Sequence, residues 1–167
     1  PTTMPTVDVV SKLDLQLVDN AINVAIKKIA QRYDFKGANV TVELNKKDKT
    51  LKVHVPDEMK LRHTREIVDG ALIDQGVSPK AVQWPETPEA ATLGTLRVAC
   101  KLVEGIEKDH AKKVVEIVKE TGLKVKASIQ GDQVRLEGKQ IDDLQAIMAK
   151  LRESTLPIPL QFVNMKR

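Results

Sequence analysis

The side chains best suited to grip another molecule in this sequence are basic ones recurring at alternate positions. Lys124, Lys126, Ser128, Gln133 and Arg135 alternate with apolar residues, as do Lys52, His54, Arg97 and Lys101, with Lys12 in a similar stretch. A lysine offers a phosphate a point charge, and an arginine's planar fork pairs two phosphate oxygens at once. Alternating lysines are also what any solvated antiparallel face displays, so the pattern stands open between an anion site and ordinary surface. A second cluster is Tyr33-Asp34-Phe35-Lys36, which holds two of the chain's four aromatic residues. A ring there is suited to stack on a base while Lys36 meets a phosphate. Equally, Tyr33 and Phe35 suit an aliphatic core and Asp34 a turn. Gln130, beside a turn, is placed to read a base edge.

Covalent chemistry finds no comparable set. His54, His63 and His110 are scattered, with no H-E-x-x-H spacing between any pair. Cys100 alternates with Val98 and Leu102, which points it into a core as a small hydrophobe. No glycine-rich loop of the kind that cradles a triphosphate or a dinucleotide is present. The expectation is a binding protein, not an enzyme, with no metal and no cofactor.

The net charge of +4 permits an anionic partner without requiring one, because 30% of residues are charged and the signs are mixed. Hydrophobic residues make up 41% and aromatics only 2%, so any core must be built from Val, Leu, Ile and Ala. One cysteine cannot form an internal disulfide, no apolar run approaches the ~20 residues of a membrane span, and residues 1–8 lack a signal-peptide pattern. A cytoplasmic location is expected.

The elements that must position these side chains occur twice. Val9-Val10-Ser11-Lys12-Leu13 and Val98-Ala99-Cys100-Lys101-Leu102 are alike, and each leads into a helical pattern. The first helix is expected over 15–32, capped by Asp14, with Leu15, Val18, Ile22, Ala25 and Ile29 inward. Its counterpart is expected over 104–121, with Ile106, Val114, Ile117 and Val118 inward and Gly122 as its stop. Two strands follow each helix: 40–44 and 50–55 in the first half, and 125–129 with a partner through Val134 and Leu136 in the second. Gly131-Asp132 suits a type II′ hairpin turn. A second helix closes each half, over 58–75 and 140–152, followed by strands at 81–84 and 158–163. Both halves read β-α-β-β-α-β, the split-βαβ pattern of ferredoxin-like domains, joined by a proline-bracketed linker at 85–88. The fold class is α+β, two ferredoxin-like domains from an internal duplication.

Several stretches resemble the YajQ family. Arg32-Tyr33-Asp34-Phe35-Lys36-Gly37 is similar to its RFDFKG signature, and Gly105-Ile106-Glu107-Lys108 with 111–115 is similar to its GI-x-K-x-x-AKKIV helix. The run 124–135, with Gly138-Lys139 and 142–146, resembles its IQGD-x-VRV-x-GK-x-x-DDLQ block. The resemblance implies that the two domains exchange strands, 7–13 joining the C-terminal sheet and 96–102 the N-terminal one. The domains would then be 14–103 and 1–13 plus 104–167. It also implies a nucleotide ligand, with cyclic-di-GMP and RNA as the proposed ones, and a role in regulating transcription. The nucleotide-binding set expected on both grounds is Tyr33, Asp34, Phe35, Lys36, Arg97, Lys101, Lys126, Gln130, Arg135 and Lys139. The end of the chain departs from the family's PFQF-x-NFRD: Pro159-Leu160-Gln161-Phe162-Val163-Asn164-Met165-Lys166-Arg167 lacks two of its rings and its terminal acid.

RNA-recognition domains carry stacking rings on their central strands, whereas here those strands read Lys52-Val53-His54-Val55 and Val134-Arg135-Leu136-Glu137. Stacking-driven readout is therefore disfavoured. The leading expectation is a cyclic-di-GMP sensor using an inter-domain or open-sheet basic site, with residues 85–88 as hinge and a transcription regulator as partner. The alternative is an RNA-associated protein that grips the backbone without reading sequence. A protein-interaction scaffold is the third reading.

Overall fold

The computed structural model describes residues 4–167. In chain order the elements are β1 (Thr6–Val10), α1 (Leu15–Gln31), β2 (Thr41–Asn45), β3 (Thr50–Val55), α2 (Glu58–Asp74), β4 (Val82–Gln83), β5 (Glu89–Ala90), β6 (Leu96–Leu102), α3 (Lys108–Glu120), β7 (Val125–Gln130), β8 (Gln133–Gly138), α4 (Ile141–Arg152) and β9 (Gln161–Lys166). The architecture is α+β, with two antiparallel sheets, and the chain divides into two compact units. One unit is Leu13–Val103. The other joins Glu104–Arg167 to the N-terminal residues as far as Lys12.

Strand pairing makes this division. β1 lies between β8 and β9 in a sheet ordered β7-β8-β1-β9, while β6 lies between β3 and β4 in one ordered β2-β3-β6-β4. Among the described residues β1 therefore pairs with the distant strands β8 and β9, and β6 pairs back with β3.

In the Leu13–Val103 unit the Asp14 side chain accepts the Gln16 and Leu17 amides, satisfying donors that the first turn of α1 leaves unpaired. Asp57 does the same for Lys60 in α2. Val18, Ala21, Ile22, Ala25 and Ile29 of α1 pack with Val68, Ala71 and Leu72 of α2 over Leu51, Val53 and Val55 of β3. In the other unit Val7, Val9, Val134 and Leu136 are buried, as are Val114 and Val118 of α3 and Leu144, Ile147 and Leu151 of α4. Both cores are aliphatic, as the composition required. Cys100 is fully buried, and burial pushes its thiol up to about 12.

Three elements differ from the sequence reading. α3 starts at Lys108, not residue 104, because Gly105 takes φ +81 and the Ile106 amide donates to the Asp132 carbonyl at 2.8 Å. The chain is turning at that point, not winding. The last strand begins at Gln161; residues 156–160 carry Pro157 and Pro159, which have no N–H for a ladder, and Leu156 and Ile158 enter the core ahead of the strand. Residues 85–88, expected to link two halves and act as a hinge, instead lie between β4 and β5, and both of these strands pair with β6. They are an excursion within one sheet.

Candidate functional site

Strand alternation leaves each sheet with a face turned away from its buried core. In the β7-β8-β1-β9 sheet the register sets Lys126 opposite Glu137, Ser128 opposite Arg135 and Gln130 opposite Gln133. On the next pair Thr6 faces Glu137 and Asp8 faces Arg135. This face forms a hollow of about 650 Å³ lined by Thr6, Lys126, Ser128, Gln130, Arg135 and Glu137, among others.

One of its lining residues, Arg135, is held in an ion pair with the covered Asp8. The Arg135 guanidinium donates from Nε to Asp8 Oδ1 at 2.8 Å and from Nη2 to Oδ2 at 3.4 Å. Asn164 adds a third bond, Nδ2 to Asp8 Oδ2 at 3.1 Å. Asp8 is 2% exposed, yet its carboxyl is held below the ordinary carboxylate range, chiefly by the Arg135 hydrogen bond, with Asn164 and nearby Lys166 adding to it against the cost of burial. Asn164 reaches this position through a bulge. The β1–β9 register shifts between Thr6 and Asp8, and Asn164 takes φ +56, a left-handed conformation that asparagine tolerates better than most residues. Neither Asp8 nor Asn164 stood out in the sequence. The one available signal was an acid inside an otherwise apolar strand, Val7-Asp8-Val9-Val10.

The sheet of the other unit carries Lys52, His54, Arg97 and Lys101 outward, the alternation expected for them. Acidic residues share this face and were missed: Glu43 stands opposite Lys52, and Glu89 opposite Arg97. Lys101 faces Thr50 and Gln83. His54 Nε2 lies 3.0 Å from Thr95 Oγ1, which in turn donates to the Thr92 carbonyl.

The Tyr33–Phe35 turn separates its two rings. Phe35 is buried at 4% exposure, with the Arg32 guanidinium 5.4 Å and the Lys60 ammonium 5.2 Å from its ring centroid. It plugs the core. Tyr33 is 89% exposed. The Asp34 carboxylate receives Nε and Nη2 of Arg32 at 2.9 and 2.7 Å, which holds its carboxyl below the usual range, and Lys60 Nζ donates to the Asp34 carbonyl. His63 Nδ1 is 3.5 Å from Asp34 Oδ2. Lys36 is exposed beside this turn.

Of the ten expected binding residues, then, Lys126, Gln130 and Arg135 share one hollow. Lys139 is exposed just past β8 and does not line it. Arg97 and Lys101 lie on the outward face of the other unit's sheet, opposite the core that Phe35 enters. Two stretches quoted for the resemblance do meet. A Cβ on Gly105 would lie 2.8 Å from Asp132 Oδ2, and Gly131 takes φ +63 in the hairpin that carries Asp132. Among the described residues no three His, Cys, Asp or Glu side chains gather as a metal cluster, and no helix is long and apolar enough to cross a membrane.

A family model described as "Nucleotide-binding protein YajQ-like" matches residues 5–166. The chain belongs to that family. YajQ-like relatives include a "Nucleotide-binding protein" of Alkaliphilus oremlandii, 46% identical over 157 residues that cover 94% of each chain. Another, from Citrifermentans bemidjiense, is 44% identical over 163 residues, covering 98% of this chain and 99% of the relative. A third, from Geotalea daltonii, is 43% identical over 164 residues, covering 98% and 100%. The names of these YajQ-like proteins describe binding, not catalysis.

Proposed function

We propose that this chain is a nucleotide-binding regulatory protein acting in the cytoplasm, with cyclic-di-GMP as its ligand and the outward face of the β7-β8-β1-β9 sheet as the binding surface. The observation that carries this reading is the convergence of Lys126, Gln130 and Arg135 in one hollow. Lys126 and Arg135 supply phosphate partners, and Gln130 with Gln133 offers amides to a base edge. The names of the relatives support a nucleotide, and the chemistry proposed is binding, not turnover. Arg97, Lys101 and Lys139, and the Tyr33-Asp34-Lys36 turn anchored by Phe35, are proposed as secondary contacts. A transcription regulator is the proposed recipient of the bound state.

We read each unit as a ferredoxin-like domain of a duplicated pair, with the expected bounds of 14–103 and 1–13 plus 104–167 moved by the one residue that puts Leu13 with the first. Taken with β1 and β6 as first strands, both sheets run second, third, first, fourth, the order of a split-βαβ fold. The test of function is calorimetric titration with cyclic-di-GMP, GTP and a short single-stranded RNA, for wild type, Lys126→Ala and Arg135→Ala. Selective binding of the cyclic dinucleotide that both substitutions weaken supports the sensor reading. The second reading, RNA gripped by its backbone, draws on Lys101, whose register partners are uncharged. It predicts RNA binding that falls steeply with salt and with Lys101→Ala, and cyclic-di-GMP binding that is absent.

A further inference from the structure

The hollow that holds Lys126 and Arg135 is not a plainly basic surface. Arg135 is bound to Asp8, and Lys126 stands in register with Glu137. Lys166 pairs in register with Thr6 beside them. Immediately around the Asp8–Arg135 pair, three cations (Lys126, Arg135 and Lys166) stand against two carboxylates (Asp8 and Glu137), a local net positive charge of one, with Lys124 just ahead of β7 adding to it. Arg135 spends Nε and Nη2 on Asp8, so the two-oxygen fork that would clamp a phosphate is already occupied on one edge. Its side chain is still 42% exposed, so the remaining edge can meet a ligand.

We propose that Asp8 and Glu137 make this face a charge filter, accepting the single negative charge of a phosphodiester and disfavouring the double charge of a terminal phosphate monoester. The proposal rests on the open-face site described above and assigns its specificity to two residues. A phosphate on the free edge of Arg135 lies roughly 6 Å from the Asp8 carboxylate, and the repulsion it feels there doubles when its charge doubles. A monoester gains its second charge near pH 6 or so, whereas a diester has no second proton to lose. Asp8 is well placed to act as a fixed charge: β1 holds it at 2% exposure and Asn164 pins its second oxygen.

The experiment compares guanosine 3′,5′-cyclic monophosphate with guanosine 5′-monophosphate at pH 8, the same base with one charge or two. Each is titrated against wild type, Asp8→Asn and Glu137→Gln. Wild type binds the cyclic ligand more tightly. Each substitution raises affinity for the cyclic monoanion about threefold and for the 5′-monophosphate about tenfold, because the lost repulsion counts twice for the dianion. Linear GpG, also a monoanion, is titrated alongside. Tighter binding of GpG assigns the diester to a strand and tighter binding of the cyclic form to a free nucleotide, and either outcome upholds the filter. Equal gains for monoanion and dianion, or losses for both, overturn it. Glu137 is only partly buried, so Glu137→Gln carries the test if Asp8→Asn fails to fold. Diester binding that Lys126→Ala weakens, with no preference by charge, overturns the filter alone. Absence of binding of all three probes in every protein overturns the filter; the site falls with it only if cyclic-di-GMP titrated into the same proteins also fails to bind.

Discussion

Asp8 and Arg135 are 127 positions apart in the chain and directly opposite one another in the β1–β8 ladder, joined Oδ1 to Nε at 2.8 Å. The pair fastens the N-terminal strand to a hairpin near the other end of the chain, on the face proposed to bind ligand. Breaking it by removing the arginine leaves a covered carboxylate without its main partner, so Arg135→Ala is read alongside a melting curve.

Acid should loosen this sheet. The Asp8 carboxyl is held below its ordinary value, first by the Arg135 hydrogen bond and then by Asn164. A depressed folded value means the stabilisation is complete above the unfolded value of about 4 and is lost as pH falls below it. Urea midpoints should be level from about pH 7 to 5 and fall below about pH 4. Asp8→Asn should lower the plateau and flatten the fall. Asp34, held down by Arg32, contributes in the same direction, more weakly because it is solvent-screened.

Gly105 and Gly122 should respond differently to the same substitution. Both take positive φ, +81 and +68, so alanine strains either, by about 1–2 kcal/mol. Only at Gly105 would the new methyl collide, 2.8 Å from Asp132 Oδ2 and 3.0 Å from Asp132 Cβ; nothing lies within 4 Å at Gly122. Gly105→Ala should therefore be the more destabilising in thermal melts, and the difference measures the contact between the α3 entry turn and the hairpin.

The two rings of the Tyr33–Phe35 turn should separate cleanly. Phe35→Ala removes a core ring and should cost about 3–5 kcal/mol in chemical denaturation. Tyr33→Ala, at a position 89% exposed, should shift stability by no more than about 0.5 kcal/mol. A loss of nucleotide affinity with Tyr33→Ala at unchanged stability would mark that ring as a stacking platform.

Cys100 should be silent until the protein opens. Its thiol is fully buried and pushed up to about 12. A thiol reagent at pH 8 should label it only as fast as its unit opens, and labelling should become rapid in denaturant.

Periodicity made much of this architecture legible. The inward stripe of α1, its Asp14 cap and the hairpin at Gly131 follow from local rules, and the structure carries all three. What stayed hidden depends on long-range register. Nothing near Asp8 in the sequence says that Arg135 will face it, or that a bulge at Asn164 will swing an amide onto the same carboxylate. For the same reason the outward faces looked more basic than they are. Lys52, Arg97 and Lys126 are conspicuous along their own strands, while Glu43, Glu89 and Glu137 oppose them from neighbouring ones. The 85–88 excursion was misread because two prolines in four residues mark a linker and a sheet-edge loop equally well.

The placement of β1 has a consequence for how the chain assembles during synthesis. Residues 13–103 are contiguous and hold every strand of their own sheet, so that unit can form once residue 103 has cleared the ribosome. β1 is made before that unit but belongs to the one whose other strands follow it. Its ladder partners β8 and β9 lie more than a hundred residues further on, so closing that loop should be a late, high-contact-order step. Truncation before β8 should leave β1 without its ladder partners, an open edge free to pair elsewhere.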